Sequence, residues 1–382
     1  MGLFSSRWYE SKRARATGHE AQDKPPKHMK RQKRVLVAPL DWGLGHASRC
    51  VPLIRALLSL GHEVIIASQG GALALLRQEF PALQAFPLPA YAPRYSRRHR
   101  LFVALFFQLP KFLWVIHREH RSVARLVKDQ HIDFIFSDNR YGCWCREAPS
   151  VFITHQLSIQ LPAALRWAEP MVRFFNHRQI AKFTHCWVPD YPDQSLSGKL
   201  SDPHALRVSF IGPLTRFERA PAPVAQSLDV LAILSGPEPQ RTLFMTRALG
   251  ALREAKCRFK VVTGQPGADA TSAEVLPHLS SKSLQELILS ARVVICRSGY
   301  SSLMDMHELS KPMLLVPTPG QTEQLYLASL WEQRGWATAC DQDMLSARLI
   351  QALIQKPPPP LPRAPQKASL NELISRVLTD IP

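Results

Sequence analysis

Four short stretches of this sequence combine glycine with groups that bind anions or move protons. In Gly43-Leu44-Gly45-His46, glycines let backbone N–H groups approach a ligand, and a helix start there would favour negative charge. His46 at that start faces the positive end of a helix dipole, which keeps an imidazole neutral and available as a base. It is equally a capping residue. Ser48 occupies the third glycine position of the dinucleotide fingerprint, which argues against NAD. Ser235-Gly236-Pro237-Glu238-Pro239-Gln240-Arg241 brings Arg241 to a second helix start. Arginine suits bidentate contact with phosphate, although a solvated arginine looks the same in sequence. Arg297-Ser298-Gly299-Tyr300-Ser301-Ser302 gathers a glycine and hydroxyls at a third, an anion site in form. Asp305 further along can hold a ribose diol or merely serve the helix dipole. In Pro317-Thr318-Pro319-Gly320-Gln321-Thr322-Glu323-Gln324, Glu and Gln side chains can fix sugar hydroxyls. Glu323 also serves as an ordinary N-terminal helix charge.

The elements that must position these loops read as alternating strands and helices. Arg34–Pro39, Glu63–Ser68, Asp133–Asp138 and Val151–His155 are short apolar runs of the buried parallel type. Helices are predicted over His46–Leu60, Gly70–Phe80 and Ala163–Lys182, with further strands at Thr184–Pro189 and Arg207–Gly212. The pattern restarts after a Pro-rich stretch. Strands are predicted at Leu228–Ser235, Cys257–Gly264, Arg292–Cys296 and Met313–Pro317. Helices alternate with them over Glu238–Glu254, Ser283–Ala291, Tyr300–Ser310 and Glu323–Arg334. The result is an α/β chain of two Rossmann-like, doubly wound domains facing across a cleft. The expected boundaries are a tail over 1–33, domains over 34–212 and 226–356, a linker over 213–225, and a Pro-rich connector with a terminal helix over 357–382.

Composition narrows the classes. The chain has 382 residues, 46% hydrophobic and 20% charged, and a net charge of +18. That suits two globular cores and excludes wholesale disorder. Residues 1–34 carry ten Lys/Arg against three Asp/Glu, and residues 97–128 eight against one. The excess is therefore local rather than spread over a nucleic-acid-binding face, and no recognition motif accompanies it. A basic nucleic-acid-binding protein stands as the second alternative. The seven cysteines are scattered, Cys143-Trp144-Cys145 is a lone pair, and the usage suits a reducing cytoplasm. No apolar signal region is visible, and Met29 is a candidate start. The opening Met1-Gly2-Leu3-Phe4-Ser5-Ser6 matches a myristoylation pattern only formally. The basic, aromatic stretch Arg97–Lys128 fits either an anionic membrane surface or a helix pair whose cations face water.

The motifs together resemble the GT-B glycosyltransferases, and within them the MurG-like, family 28 type. Val294-Ile295-Cys296-Arg297-Ser298-Gly299 is nearly that family's VVCRSG, and Val151–Gln156 resembles its strand ending in His-Glu-Gln. Ser235–Arg241 and Pro317–Ala328 resemble its loops. The likeness runs from about Arg34 to Arg334 and is stronger in the second half. It implies a nucleotide-sugar donor, a UDP-sugar by analogy, with Arg241, Ser298 and Gly299 at the phosphates and Asp305 on the ribose. Ser235, Arg297, Ser301, Gln321, Glu323 and Gln324 complete the expected donor side. Gly43, Gly45, His46, His155 and Gln156 fall on the acceptor side. The expected base is His46, with Asp138 and His155 behind it. No Asp-x-Asp pair ends a predicted strand, so no metal and no cofactor are expected. Inversion is expected from the resemblance. The expected location is cytoplasmic, peripheral to the inner face of a membrane if the acceptor is lipid-linked or a surface-glycan precursor. A nucleotide-sugar hydrolase is the runner-up, with water as the acceptor.

Overall fold

The structure, a computed structural model, describes residues 32–93, 107–218, 224–264, 273–359, 361 and 369–379. The tail with Met29, residues 97–106 of the basic stretch, part of the linker and most of the Pro-rich connector lie outside the described residues.

The first sheet uses β1 (Arg34–Pro39), β2 (Glu63–Ser68), β3 (Gln84–Pro87), β4 (Phe134–Asp138), β5 (Ser150–Ile153), β6 (His185–Val188) and β7 (Ser209–Phe210). All neighbours are parallel, in the order β3-β2-β1-β4-β5-β6-β7. Its helices are α1 (Leu44–Ser59), α2 (Gly70–Glu79), α3 (Leu109–Asp129) and α4 (Glu169–Ile180). The second sheet uses β8 (Leu228–Ile233), β9 (Phe259–Val262), β10 (Val275–Leu276), β11 (Ala291–Cys296), β12 (Met313–Leu315) and β13 (Thr338–Ala339). It is again parallel, in the order β10-β9-β8-β11-β12-β13. Its helices are α5 (Gln240–Glu254), α6 (Ser281–Ser290), α7 (Tyr300–Glu308), α8 (Thr322–Gln333) and α9 (Ala347–Gln355). The apolar runs of β1, β4, β8 and β11 are buried because crossover helices cover both faces of a parallel sheet.

Each sheet reverses its strand order once, between β1 and β4 and between β8 and β11. A doubly wound sheet binds ligands at the carboxyl ends beside such a reversal. The loops after β1, β4, β8 and β11 are those that carry His46, Asp138, Arg241 and Gly299.

The helix predicted over 163–182 divides in two. Ala163–Ala168 is a 3-10 turn, and α4 restarts at Glu169-Pro170, where proline suits a first turn whose N–H needs no partner. β3, β10 and β13 escape the sequence reading because they are short edge strands of four, two and two residues. β13 brings a correction. Asp341-Gln342-Asp343 follows it after Cys340, so an Asp-x-Asp does lie at the end of a strand. It lies at the sheet edge, two strands from the β8/β11 reversal, with both aspartates exposed.

Two segments cross between the sheets. The terminal helix α10 (Leu370–Thr379) returns to the first core, where Ile374, Val377 and Leu378 pack among residues of β1, α1 and α2. Lys33 Nζ donates to the Leu378 carbonyl at 2.6 Å. In the other direction, Tyr191, Leu196 and Leu200 pack in the second core, and Trp331 Nε1 donates to the Leu196 carbonyl at 2.9 Å.

Candidate active site

Where the loops of the two sheets meet, their polar side chains form one connected network. Asp138, fully buried at the end of β4, accepts from His46 Nδ1 at 2.8 Å and from the Arg49 guanidinium. His46 and Arg49 lie one turn apart on α1, so they share a face. Arg49 also donates through Nη1 to His155 Nδ1 at 3.0 Å. His155 Nε2 then donates to Glu323 Oε1 at 2.8 Å, across to the first turn of α8. The Gln156 amide donates to the other oxygen of Glu323. The His155 ring stacks on Tyr300, with centroids 3.9 Å apart.

The charges follow from these contacts. Burial alone would raise the Asp138 carboxyl, but Arg49 and then His46 outweigh it and hold it at about 2. Asp138 is therefore ionised, and His46 Nδ1 lies between its Oδ1 at 2.8 Å and Arg49 Nη2 at 2.9 Å, which leaves Nε2 as the ring nitrogen outside that pair of contacts. Burial holds His155 below the ordinary imidazole range. A neutral His155 meets both its neighbours, accepting from Arg49 at Nδ1 and donating to Glu323 at Nε2. Burial would also raise Glu323, but the hydrogen bond from His155 leads the groups that bring it below the usual carboxylate range.

The three expected proton-transfer residues, His46, Asp138 and His155, thus stand in one network. Gly43 has φ +94, a left-handed conformation that suits glycine. Gly45 meets the second sheet: Ser301 Oγ donates to its carbonyl at 3.0 Å, and a Cβ on Gly45 would lie 3.0 Å from that hydroxyl.

The donor-side residues divide. Gly299 is the N-cap of α7 and Gln321 that of α8, and both are partly open, as is Ser235 after β8. Arg241 lies in the first turn of α5, held by Glu238 at 2.5 Å while staying partly exposed. Ser301 and Glu323 reach across to the first sheet. Gln324 accepts the Thr318 N–H at 2.7 Å and so shapes its own loop.

Three expectations need correction. Arg297 is buried, and its guanidinium donates to the carbonyls of Val316, Pro317 and Gln240, each at 3.0 Å, and to Gln342 Oε1. Burial lowers it to about 10. It braces the loops from within rather than facing a donor. Ser298 is fully buried and spends its hydroxyl on the Gln324 carbonyl at 2.7 Å. Asp305 turns toward the linker, accepting from Thr215 Oγ1 at 2.7 Å with Arg216 Nε 3.7 Å away, and burial raises its carboxyl despite Arg216. Its position on α7 points it to the strap between the sheets rather than to a ribose.

Arg49 and Tyr300 are absent from the sequence-level set. Arg49 leaves a signal, as a cation at 2% exposure among Ala47, Cys50, Val51 and Leu53 on the buried face of α1. A charge in such a stripe is costly unless paired.

Residues 249–376 match the glycosyltransferase family 28 C-terminal domain. Two uncharacterized glycosyltransferases are similar over most of the chain. One, from Methanosarcina mazei, is 22% identical over 336 residues, covering 79% of this chain and 84% of that protein. The other, from Methanosarcina acetivorans, is 23% identical over 328 residues, covering 79% and 82%. Among solved structures, the glycotransferase of kitacinnamycin superposes with a TM-score of 0.59 at 16% identity, covering 86% of this chain and 91% of that one. The spinosyn rhamnosyltransferase SpnG, complexed with thymidine diphosphate, gives 0.57 at 16%, covering 90% and 99%. The chain is a glycosyltransferase of the GT-B fold.

In this transferase the outer face of α3 remains open. Val115, Glu119, Val123 and Val127 turn inward, while Leu109, Leu113 and Trp114 are exposed beside Arg118 and Arg121. Among the described residues no helix is long and apolar enough to cross a membrane. All seven cysteines are free thiols.

Proposed function

We propose that the transferase moves a sugar from a UDP-sugar to an acceptor hydroxyl with inversion and without a divalent metal. The observation that carries this reading is the Asp138–His46 pair at the β1/β4 reversal, facing the α7 start at the β8/β11 reversal. Asp138 fixes the His46 proton on Nδ1, so Nε2 takes the proton of the acceptor hydroxyl as its oxygen attacks the anomeric carbon. The bond from that carbon to the diphosphate breaks, and negative charge grows on the leaving group. Arg241 and the N-terminal N–H groups of α7 and α8 offset that charge. Glu323, held by His155 and Gln156, is placed to orient sugar hydroxyls. The open face of α3, with Trp114 and its neighbouring arginines, favours residence at an anionic membrane surface and a lipid-linked or surface-glycan acceptor.

Calorimetry with a chelator present tests the donor site. UDP should bind in preference to GDP, CDP and TDP, and Arg241→Ala should weaken it by roughly ten- to a hundredfold, the worth of a charge-assisted hydrogen bond. Asp305→Ala should leave the affinity near wild type while lowering stability. Loss of all binding on chelation would end the metal-free reading. His46→Ala should cost about 10²–10⁴ in turnover with little change in UDP affinity, and near-normal turnover would remove His46 as the base.

A further inference from the structure

One buried side chain touches three members of the network. Arg49 sits one turn after His46 on α1 at 2% exposure. Its Nε and Nη2 donate to the two oxygens of Asp138, and its Nη1 donates to His155 Nδ1 at 3.0 Å. Nη2 also lies 2.9 Å from His46 Nδ1. All three guanidinium nitrogens are therefore engaged, with partners on α1, at the end of β4 and in the loop after β5. A guanidinium is planar and its N–H groups point in fixed directions, so the place of one partner fixes the place of the others.

Charge balance explains only part of this arrangement. A buried carboxylate needs a cation, and the contacts with Asp138 meet that need. The Nη1 bond goes instead to a neutral imidazole, where it settles orientation. Arginine only donates, so His155 Nδ1 accepts, the ring proton stands on Nε2, and that proton is donated to Glu323 Oε1 at 2.8 Å. On the other arm, the grip on both oxygens of Asp138 turns Oδ1 to His46 Nδ1 at 2.8 Å. Among the described residues no hydrogen bond joins His46 directly to Glu323; the path between them runs through Arg49 and His155. A lysine ammonium in the same place would keep the charge but is a single point, which pairs with Asp138 and leaves His155 Nδ1 without its donor.

We propose that Arg49 is a positioning residue of the transfer: one rigid fork aims Asp138 at His46 and His155 at Glu323, and so aligns the base on the first sheet with the carboxylate that meets the sugar on the second. The words base and sugar rest on the transfer reading above; the alignment of the two histidines does not.

Ring-nitrogen spectra of the full chain labelled with nitrogen-15 histidine test this, with His155→Gln and His46→Gln to assign the signals. Wild type should hold His155 as one tautomer, with the proton on Nε2. Arg49→Lys should average the two His155 nitrogens while the ring titrates near its wild-type midpoint. Arg49→Met should average them too and move that midpoint up, because a cation that opposes protonation is gone. The other groups facing the ring are His46 on α1 and Glu323 on α8, with Tyr300 of α7 stacked on it, and both variants keep them. Thermal melting is the folding control, and Arg49→Met/Asp138→Asn, which buries no unpaired charge, replaces Arg49→Met if that variant unfolds early. The alignment is overturned if folded Arg49→Lys keeps the single His155 tautomer.

Two further readings of the same samples separate alignment from the donor site. Arg49→Lys should bind UDP nearly as wild type does, yet turn over a mixture of UDP-glucose, UDP-galactose and UDP-N-acetylglucosamine at least about tenfold more slowly, the cost of misplaced groups. Unchanged turnover, or a loss of UDP affinity like that of Arg241→Ala, overturns the positioning role. If wild type binds no UDP while the His155 tautomer still needs the Arg49 fork, the donor assignment falls and the alignment stands.

Discussion

His155 is neutral because each of its nitrogens has a fixed task, one facing an arginine that only donates and the other a carboxylate that only accepts. Its pKa lies below the unfolded value, so the unfolded chain takes up more protons as the pH falls. The associated stability is complete above about pH 6.5, the unfolded value, and is lost as the pH drops through the folded value. Melting curves from pH 8 to 5 should therefore show a falling Tm, and His155→Gln should flatten that fall. An identical pH profile in the variant would remove His155 as its source. Asp138 acts lower, because its depressed pKa confines its loss to the interval from about 4 to about 2. His46 and Asp138 are legible in the sequence because one starts a helix and the other ends a strand at the reversal of strand order, and His155 because it follows the next strand, β5, by two residues. Arg297, Ser298 and Asp305 mislead because a motif fixes where a loop lies but not which way its side chains turn. Arg297 stands at a strand end, yet the carbonyls behind it claim its donors.

Among the elements, α3 shows how a long amphipathic helix is anchored. Arg140, fully buried, donates to Glu119 Oε1 at 2.7 Å and to Asp41 Oδ1 at 3.2 Å. Tyr91 Oη and the Gly142 N–H donate to the other Glu119 oxygen at 3.0 and 2.8 Å. A Cβ on Gly142 would meet the Ile116 carbonyl at 2.5 Å, so the β4 loop packs hard against the helix. The arrangement ties α3 to the loop that precedes Gly43. Losing one member of a buried pair leaves an uncompensated charge, at about 3–5 kcal/mol. Urea unfolding should show a loss of that order for Glu119→Gln. Arg253→Ala, which opens the exposed pair with Glu274, should cost less than about 1 kcal/mol. Equal losses would mean that the α3 pair contributes no more than a surface contact. The sequence's basic, aromatic pattern reveals the helix over its described part but supports both an inward and an outward face. The structure displays both, with valines and Glu119 inside and Leu113 and Trp114 outside.

At the scale of the whole molecule, two sheets of one style are legible from their repeating strand–helix pattern, but the crossing segments are not. A helix of ten residues with an apolar stripe gives no sign of which core will receive it. Nothing in Tyr191–Leu200 marks it for the second core. Ile374, at 0% exposure in the first core, measures the first of these attachments. Ile374→Ala should cost about 2–5 kcal/mol. Hydrogen exchange should quicken in β1 and β2 while β8 and β11 keep their protection. Uniform quickening would mean that the two sheets open as one unit.

Lys33 and Leu378 touch across 345 positions of sequence. The half translated first therefore has no finished core when it emerges. The groove on α1 that Ile374 and Val377 fill stays open to water until the second half and the connector have left the ribosome. During synthesis that groove is a sticky apolar surface, available to chaperones or to another nascent chain. A helix made after the whole second sheet completes the core of the first.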